Sequence, residues 1–303
     1  MEKNLLKNSL PRVLVIAGSD SGGGAGVQAD IKAIGALGGY AATAITSVTS
    51  QNTLGVQDIF DLPLHVVESQ IRSVLDDIGA DIIKTGMLSN KEVIELVARI
   101  IRQSGIKAVI DPVMVAKGGA SLLKADAIEA LKSKLLPLAF LLTPNIPEAE
   151  ALCGFSIKNK ADMEKAGSFI ISKFGCNAVL VKGGHLDGDR LVDVLVQKNN
   201  ERTMFGMHKQ FSFHNFRSAR VKTRNTHGTG CSYASAIAVL IAKNLSRPSS
   251  GNSSPDAKSG MAVNLEVVVK AAHEYLYNAI VNAPDIGAGN GPINHFWNIT
   301  SGS

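Results

Sequence analysis

The strongest chemical signal in this 303-residue chain is a glycine-rich segment directly before an apolar helical stretch, residues 233–243. Gly228, Thr229 and Gly230 can present consecutive backbone N–H groups at the start of that helix. Such a helix start binds an oxyanion or a phosphate, and glycine lets the backbone approach the anion closely. Cys231 follows in the first turn, where the same field is expected to lower the pKa of a thiol. The alternative is a glycine-rich helix cap beside a buried cysteine.

A second glycine-rich segment, residues 18–32, follows the first apolar run of the chain. A dinucleotide-binding loop would need an acidic residue at the end of the next strand, and residues 38–47 contain none. The GxxxxGK[S/T] spacing of a P-loop is also absent from the sequence. The glycines suit a loop against which a small flat ligand lies. Asp30, one turn into the following helix, could point its carboxylate into that pocket, or it could be an ordinary first-turn helix acid.

Further polar residues directly follow other apolar runs. Asp111 comes after the run 108–110, and Lys182 comes after the run 178–181. Asn145 and Glu148 stand three apart, where a turn and a helix start could direct both towards one site. Each residue alone has an ordinary explanation, such as a solvated lysine or a helix-capping asparagine. Together with an anion-binding loop, they form the set that magnesium-assisted phosphoryl transfer requires.

The elements that must position these residues alternate between short apolar strands and helices. That alternation predicts an α/β protein with a parallel sheet covered on both faces. Ligands of such sheets bind outside the carboxyl ends of the strands, which is where the residues above fall. The predicted strands are residues 12–17, 41–48, 81–85, 108–110, 140–143 and 178–181, with an antiparallel edge formed by 191–196 and 202–207. The predicted helices are residues 27–37, 64–77, 91–103, 125–135, 162–174, 233–243 and 265–282.

We expect one domain over residues 1–303. Residues 246–260 are rich in Ser, Pro, Gly and Asn and hold little apolar surface, so we interpret them as a flexible surface insertion between two helices. Residues 1–10 and 300–303 are predicted to be disordered.

Composition argues against several other classes of protein. The net charge is +5, but lysine and arginine are scattered and aromatic residues make up only 5%, so no nucleic-acid partner is expected. No apolar run reaches the length of a membrane span, and no signal peptide is evident, so no membrane partner is expected either. The three cysteines form no CxxC pair, which favours a reducing, cytoplasmic location without disulfides.

The motifs spread along the chain form a specific combination: AGSDSGGGAGVQADIK, QNTLGV, KTGML, DPVM, TPNIPEAE, VKGGH, NTHGTGC and GPINHF. From about Arg12 to Trp297 the chain resembles the hydroxymethylpyrimidine/phosphomethylpyrimidine kinases of thiamine biosynthesis, within the ribokinase-like superfamily. The resemblance implies a ribokinase-like three-layer α/β/α sandwich with a mostly parallel central sheet. It also implies ATP and Mg²⁺ as cofactors, hydroxymethylpyrimidine and its monophosphate as substrates, and a homo-oligomer, either a dimer or a larger assembly.

On the substrate side, the resemblance implies that Asp30 and Gln51 hydrogen-bond the aminopyrimidine from opposite sides. The residues implied to line the apolar floor under the ring are Ala25, Met87 and Val113.

On the transfer side, the resemblance implies that Cys231 takes the place of a catalytic base. The backbone of residues 228–231 is implied to form the anion hole for the transferred phosphoryl group. The residues implied to organise magnesium and the triphosphate, directly or through water, are Asp111, Asn145 and Glu148. Those implied to contact the nucleotide phosphates are Lys182 and, from a covering flap, Lys117.

Other functions stay open on the sequence alone. A pyridoxal or pyridoxine kinase would act on a similar flat heterocycle with a hydroxymethyl arm, although Gln51 and Asp30 favour an aminopyrimidine. A catalytically silent relative would bind pyrimidine or nucleotide, but every expected functional position is filled. A dinucleotide-dependent oxidoreductase would lack its ribose-binding acid.

Overall fold

A mixed sheet forms the central layer of the computed structural model, which describes residues 10–114, 124–186, 188–199, 210–245 and 263–299. Its strands are β1 (Arg12–Asp20), β2 (Tyr40–Asn52), β3 (Gly55–Asp61), β4 (Ile82–Thr85), β5 (Ala108–Ile110), β6 (Ala139–Leu142), β7 (Ala178–Val181), β8 (Arg190–Lys198) and β9 (Phe211–Ala219). The strand order is β3-β2-β1-β4-β5-β6-β7-β8-β9. Strands β2, β1, β4, β5, β6 and β7 pair in parallel with their neighbours in this run. Strand β3 pairs antiparallel with β2, and β8 pairs antiparallel with both β7 and β9.

The parallel strands are buried on both faces, which explains why they are continuous apolar runs in the sequence. In β1, Leu14 and Ile16 belong to the core on one side of the sheet. Val13 and Val15 alternate with them and belong to the core on the other side. The sheet is therefore the middle of three layers, which confirms the predicted sandwich.

Helices cover the two faces unequally. They are α1 (Gly26–Ala36), α2 (Leu64–Ser73), α3 (Lys91–Ser104), α4 (Ala125–Ala130), α5 (Ile146–Cys153), α6 (Lys160–Phe174), α7 (Thr229–Leu245) and α8 (Leu265–Val281). Helices α1, α7 and α8 pack on one face, and α2 to α6 pack on the other. Both α2 and α4 continue into π-helical turns, Val74–Ile78 and Leu131–Leu135.

Two of these strands are not predicted from the sequence, and of one helix only the start is expected. Strand β3 is exposed along almost its whole length, so its residues show no alternation of apolar and polar types. Strand β9 pairs with β8, while the predicted edge strand 202–207 lies outside the described residues. Helix α5 has only 8 residues, which gives helical periodicity little room to appear.

Several predictions concern residues that the structure does not describe. The proposed insertion 246–260 and the chain ends 1–9 and 300–303 belong to this group, so they stay predictions. Within the described ranges, no helix combines the length and apolar character that a membrane crossing requires.

Candidate active site

A cavity of about 870 Å³ opens where the parallel strands end, at the edge of the sheet that the sequence predicts. Its wall is built from residues that follow β1, β5, β6 and β7 and from the first turn of α7. The structure therefore brings together polar groups that are far apart in the sequence. The predicted site residues that line it are Ala25, Gln51, Met87, Asp111, Val113, Asn145, Glu148, Lys182, Gly228, Thr229, Gly230 and Cys231.

Asp20 holds the glycine-rich loop between β1 and α1 in place. Its Oδ1 accepts the N–H of Gly22 over 2.8 Å, and its Oδ2 accepts the N–H groups of Gly24 and Ala25 over 3.1 and 2.7 Å. Burial alone would raise the pKa of this carboxyl, but hydrogen bonds from His227 and the loop backbone hold the pKa below its usual value. Asp20 therefore organises the loop as a carboxylate.

The two glycine-rich loops of the site interlock at Gly228. Its φ of +77° is left-handed, and a Cβ at this position would overlap the carbonyl oxygen of Gly24. Helix α7 begins at the next residue, Thr229, so the conformation of Gly228 sets how its first turn faces the cavity. We expect the N–H groups of Gly230 and Cys231 to be the donors available to an anion.

The C-terminal GPINHF motif supports this loop from behind. Ser232 Oγ donates to the Gly228 carbonyl over 2.8 Å and lies 2.8 Å from Nε2 of His295. Because the hydroxyl hydrogen is used towards Gly228, the His295 ring must be the donor to Ser232. Burial lowers the pKa of His295 to about 4, so its ring is neutral near pH 7. The backbone N–H of His227 also donates to the Gly291 carbonyl over 3.0 Å.

Asp111 and Lys182 form an ion pair at the ends of β5 and β7. Lys182 Nζ lies 2.8 Å from Asp111 Oδ1, and the same oxygen accepts the Thr143 hydroxyl over 2.9 Å. Burial alone would raise the pKa of Asp111, but the charges of Lys182 and Lys84 and the hydrogen bonds from Lys182 and Thr143 hold the pKa below its usual value. A Cβ on Gly230 would lie 3.4 Å from Lys182 Nζ, so this ammonium stands against the anion-binding loop.

Glu148 and Asn145 cap the start of α5 reciprocally. Asn145 Oδ1 accepts the Glu148 N–H over 2.9 Å, and Glu148 Oε2 accepts the Asn145 N–H over 2.8 Å. The capping role considered for Asn145 is therefore confirmed, and the cap leaves both side chains at the cavity wall. Burial raises the pKa of Glu148 to about 7, although Lys182 opposes the rise. The negative charge of Asp111 adds to the rise in the Glu148 pKa, so a cation near the two carboxylates would be favourable.

Cys231 lies in the first turn of α7, but its expected acidity is wrong. Burial raises the pKa of the thiol to about 11. The positive charge of Lys84 acts in the opposite direction, whereas the charges of Asp30 and Asp111 add to the rise. Burial and the two nearby carboxylates therefore outweigh the charge of Lys84 and disfavour the thiolate.

We expect Cys231 to react slowly with iodoacetamide near pH 7 and about tenfold faster with each pH unit up to pH 10. The thiolate is the reacting species, and with a pKa of about 11 only roughly one thiol in 10⁴ is ionised at pH 7. The rate is measured by mass spectrometry on the peptide that contains Cys231. The buried thiols of Cys153 and Cys176 serve as internal references. A rate that has reached its plateau by pH 7.5 would contradict the raised pKa.

Asp30 does not reach the cavity, which corrects its predicted role in binding the pyrimidine. It is fully buried between α1, β4 and α7. Its Oδ1 accepts from Lys84 Nζ over 2.8 Å and from the Ser235 hydroxyl over 2.7 Å. Lys84, in the KTGML motif, is fully buried as well. The carboxylate therefore neutralises a lysine below the site instead of facing a ligand.

Lys117 lies outside the described residues. Its assignment to a flap over the phosphates stays a prediction.

Part of the cavity wall is formed by apolar side chains. Leu191, Val221, Leu276 and Ile280 line it. An apolar surface with a few fixed polar groups is typical of cofactor sites. This part of the wall could therefore hold a flat nucleobase.

The loop that carries Lys182 is held by Asp193 and Arg220, for which the sequence gives no signal. Asp193 Oδ1 accepts the N–H of Gly183 over 2.8 Å, and its Oδ2 lies 3.1 Å from Nδ1 of His273. Arg220 donates to the carbonyls of Gly184, Leu186 and Gly188. These bonds fix the path of the VKGG segment after β7.

His227 joins the two glycine-rich loops, and the sequence gives no direct signal for it. Its Nε2 lies 2.8 Å from Asp20 Oδ2 and 3.2 Å from the side-chain amide of Gln51. His227 and Asp20 are separated by 207 positions, although each lies inside a glycine-rich motif. Only the fold shows that they form one network.

A sheet edge that can bind phosphate and a flat ring together has the features of a small-molecule kinase. The family model described as phosphomethylpyrimidine kinase matches residues 20–257. The hydroxymethylpyrimidine/phosphomethylpyrimidine kinase of Streptomyces coelicolor is 42% identical over 287 residues, which cover 95% of this chain and 95% of the relative. The chain therefore belongs to the phosphomethylpyrimidine kinase family.

Solved structures agree with this assignment and with the ribokinase-like fold. An ADP complex of Bacillus subtilis pyridoxal kinase is 32% identical, with a TM-score of 0.78 over 95% of this chain and 98% of the other. A phosphomethylpyrimidine kinase from Clostridium difficile is 36% identical, with a TM-score of 0.70 over 89% of this chain and 99% of the other. The predicted fold class is confirmed.

Proposed function

We propose that this chain transfers phosphate from ATP to hydroxymethylpyrimidine, giving the monophosphate, and then from ATP to the monophosphate, giving the diphosphate used in thiamine biosynthesis. One observation carries the proposal. A single cavity wall holds the carboxamide of Gln51, the anion-binding loop 228–231 and the pair of Asp111 with Lys182. A flat acceptor and a phosphate donor can therefore meet inside it.

The pyrimidine ring is proposed to lie against the first glycine-rich loop, with Ala25, Met87 and Val113 as apolar contacts. Its polar edge would face Gln51. A carboxamide offers one acceptor and one donor side by side, which matches an amino group next to a ring nitrogen. Gln51 would then orient the ring so that its hydroxymethyl arm reaches the loop before α7.

The transfer itself is proposed to depend on position and charge. The backbone N–H groups of Gly230 and Cys231 would bind the moving phosphoryl group, and Lys182 would hold positive charge beside it. A thiol with a pKa of about 11 is a poor base near pH 7. Cys231 would therefore hold the acceptor hydroxyl in place, since a loose transition state needs little early deprotonation.

Asp111 and Glu148 fit a magnesium ion. Both carboxylates are buried at the cavity wall, and magnesium is usually held by one or two carboxylates together with water and substrate phosphates. The raised pKa of Glu148 indicates negative charge that a cation would stabilise. Asn145 would act through water, because its Oδ1 already accepts a backbone N–H. When bound, magnesium would neutralise charge on the phosphates during transfer.

The second phosphorylation has a chemically easier acceptor. A phosphate monoester is largely ionised near pH 7, so its oxygen needs no base. The high pKa of Cys231 is thus compatible with both steps. The second step requires the monophosphate to turn its phosphate towards the same loop at 228–231.

Pyridoxal is the second candidate acceptor, and the structural likeness to Bacillus subtilis pyridoxal kinase favours it. Pyridoxal carries a hydroxymethyl arm on a flat ring of similar size. It lacks an amino group beside its ring nitrogen, so it would leave part of the Gln51 carboxamide without a partner. We therefore expect pyridoxal to be the poorer substrate.

The proposal is tested by acceptor-dependent release of ADP from magnesium-ATP. Hydroxymethylpyrimidine, its monophosphate, pyridoxal and a sample without acceptor are compared at equal concentration. We expect turnover with both pyrimidines and little with pyridoxal. A preference for pyridoxal would overturn the substrate assignment, and turnover with the first pyrimidine alone would remove the second phosphorylation.

We also propose a homo-oligomer formed through the outer face of β3. Leu54 and Phe60 at this sheet edge are 73% and 68% exposed, and Ile59 beside them is exposed too. An uncovered apolar edge strand invites pairing with another chain. Val56 and Ile59 also line the cavity, so a second copy of this chain would close that side of the site.

Replacing Phe60 by aspartate should therefore lower the molar mass of the assembly measured by size-exclusion chromatography with light scattering. The charge would have to be buried in the interface without a partner. Val267→Asp is the matched control, because Val267 is 61% exposed on α8 and lies outside the proposed interface. A wild-type chain that is monomeric at every concentration would contradict the proposal.

A reducing compartment such as the cytoplasm is also part of the proposal. Cys153, Cys176 and Cys231 are all free, and two of them are buried. Free buried thiols are the usual state in a reducing compartment, where ATP is also available.

A further inference from the structure

The turn between β2 and β3 is held by a linking segment, residues 285–291, which follows α8 along the chain. The N–H of Asn290 donates to the Thr53 carbonyl over 2.8 Å, and the N–H of Gly289 donates to the Thr53 hydroxyl oxygen over 3.2 Å. After the linking segment the chain returns to the core at Ile293, which is buried. The turn is therefore bonded to a segment that is itself anchored.

The linking segment lies so close to the turn that position 289 has no room for a side chain. A Cβ on Gly289 would overlap the Thr53 carbonyl oxygen and would lie 3.1 Å from the Cα of Leu54. The φ of Gly289 is not left-handed, so alanine is opposed here by lack of space and not by its backbone conformation. Gly289 therefore sets how closely the two backbones approach.

The linking segment is also bonded to the residues that lead into the anion-binding loop. The Gly291 carbonyl accepts the backbone N–H of His227 over 3.0 Å. The Arg224 guanidinium donates to Asp285 Oδ1 over 2.7 Å and to the Ala288 carbonyl over 3.1 Å. One short segment therefore joins the β2–β3 turn to the start of the loop that is proposed to bind the phosphoryl group.

The β2–β3 turn belongs to the acceptor side of the cavity. Gln51 lies two residues before Thr53, and Val56 and Ile59 follow the turn; all but Thr53 line the cavity. The Ser21 hydroxyl donates to the Gln51 carbonyl and accepts the Gln51 N–H, both over 2.8 Å. The backbone of Gln51 is thus tied to the first glycine-rich loop, and the turn beyond it is tied to the linking segment.

We propose that the linking segment sets the position of Gln51 relative to the anion-binding loop, with Thr53 and Gly289 as positioning residues for the acceptor. The inference rests on the proposed function, in which a flat acceptor lies against Gln51. A correctly held turn keeps the hydroxymethyl arm of the acceptor in line with the phosphoryl group. A displacement of about 1 Å at such a site can cost on the order of 100-fold in rate.

The nucleotide side of the cavity is held by different bonds. Lys182 is proposed to contact the nucleotide phosphates, and Asp193 accepts the N–H of Gly183 directly after it. A shift of the β2–β3 turn should therefore weaken acceptor binding and leave nucleotide binding unchanged. A general loss of structure would weaken both.

Gly289→Ala should raise the dissociation constant of hydroxymethylpyrimidine at least about tenfold and lower kcat at saturating acceptor by a similar factor. The new Cβ displaces the turn and with it Gln51. The dissociation constant of ATP should stay within about twofold of the wild-type value, because its site is separate. Both constants are measured by calorimetry with each ligand alone, and kcat is measured as release of ADP.

Gly35→Ala is the matched control. Gly35 lies on the exposed face of α1, its φ is not left-handed, and no atom of the described residues lies within 4 Å of a Cβ placed there. The same substitution therefore fits without moving a neighbour. This variant should bind both ligands as the wild type does.

Thr53→Val and Thr53→Ser test the same contact without adding bulk. Valine keeps the shape of the side chain but removes the acceptor for the Gly289 N–H, so the dissociation constant of the pyrimidine should rise about three- to tenfold. Serine keeps the hydroxyl and should restore wild-type binding. Thermal melting shows which variants are folded, and this pair carries the test if Gly289→Ala does not fold.

Hydrogen exchange followed by mass spectrometry tests the linking segment without any ligand. Gly289→Ala should speed exchange in the peptide that contains residues 50–57, whereas Gly35→Ala should not. If the wild-type chain does not bind hydroxymethylpyrimidine, the proposed function fails, and this exchange result decides the inference by itself. Unchanged exchange in folded Gly289→Ala would overturn the inference. So would a folded variant that weakens ATP and the pyrimidine by the same factor, or that weakens neither.

Discussion

Replacing Gly228 by alanine should lower the rate of phosphoryl transfer by at least about 100-fold. The new Cβ would overlap the carbonyl oxygen of Gly24, and the φ of +77° is strained for any residue with a side chain. The loop before α7 must then move, which turns the N–H groups of Gly230 and Cys231 away from the phosphoryl group. The rate is measured as acceptor-dependent release of ADP at saturating ATP.

Gly175→Ala is the matched control for this substitution. Gly175 has a φ of +81° at the end of α6, and no atom of the described residues lies within 4 Å of a Cβ placed there. Alanine at this position therefore imposes the same backbone strain away from the site, at a cost of about 1 kcal/mol in stability. Its rate should match the wild type. A Gly228→Ala variant within tenfold of the wild-type rate would show that the loop geometry does not limit transfer.

Replacing Asp30 by alanine should lower the free energy of unfolding by about 3–5 kcal/mol. Burial alone would lower the pKa of Lys84, but the nearby negative charges, first that of the Asp30 carboxylate 2.8 Å away, together outweigh burial and raise the pKa. Without Asp30 a fully buried ammonium group loses its partner. The loss is measured from urea unfolding followed by fluorescence and circular dichroism, which together check for a two-state transition.

Lys84→Met should cost less, and its cost should depend on pH. Burial raises the pKa of Asp30, so the unpaired acid can take a proton in the folded state. The unfolded acid ionises near pH 4, so above that pH the folded state binds more protons and stability falls as the pH rises. The double variant should lose less stability than the sum of the single variants.

Glu68→Ala is the control for these variants. Glu68 pairs with Arg72 and Arg99 on the protein surface, where solvent weakens the interaction. We expect its unfolding midpoint to stay close to that of the wild type. An Asp30→Ala variant with an equally small change would contradict the structural role of the buried pair.

The sheet and the location of the site could be predicted from the sequence because both depend on local pattern. Continuous apolar runs such as 178–181 are typical of strands buried on two faces, and polar residues directly after them must lie at one edge. Asp111, Glu148 and Lys182 fall there by this rule. Strand β3 could not be predicted in this way, because its exposed residues leave no alternation to detect.

The roles of Asp30 and Cys231 could not be predicted because they depend on tertiary surroundings. The helix that carries Asp30 can be predicted from the sequence. The partner of Asp30, Lys84, comes from β4, 54 positions later. The position of Cys231 at a helix start favours a thiolate, and only the fold reveals that burial raises the pKa of this thiol. The contact between Asp20 and His227 could not be predicted for the same reason, because neither motif indicates that it contacts the other.

The central claim is that this cavity transfers the terminal phosphate of ATP to hydroxymethylpyrimidine. Its most direct test is to incubate the chain with magnesium and ATP labelled with ¹⁸O in the terminal phosphate, and to identify the pyrimidine products by mass spectrometry. We predict labelled hydroxymethylpyrimidine monophosphate first and a doubly labelled diphosphate afterwards, each matched by released ADP. ADP formed without any labelled pyrimidine, or no ADP from a folded sample that binds both ligands, would contradict the claim.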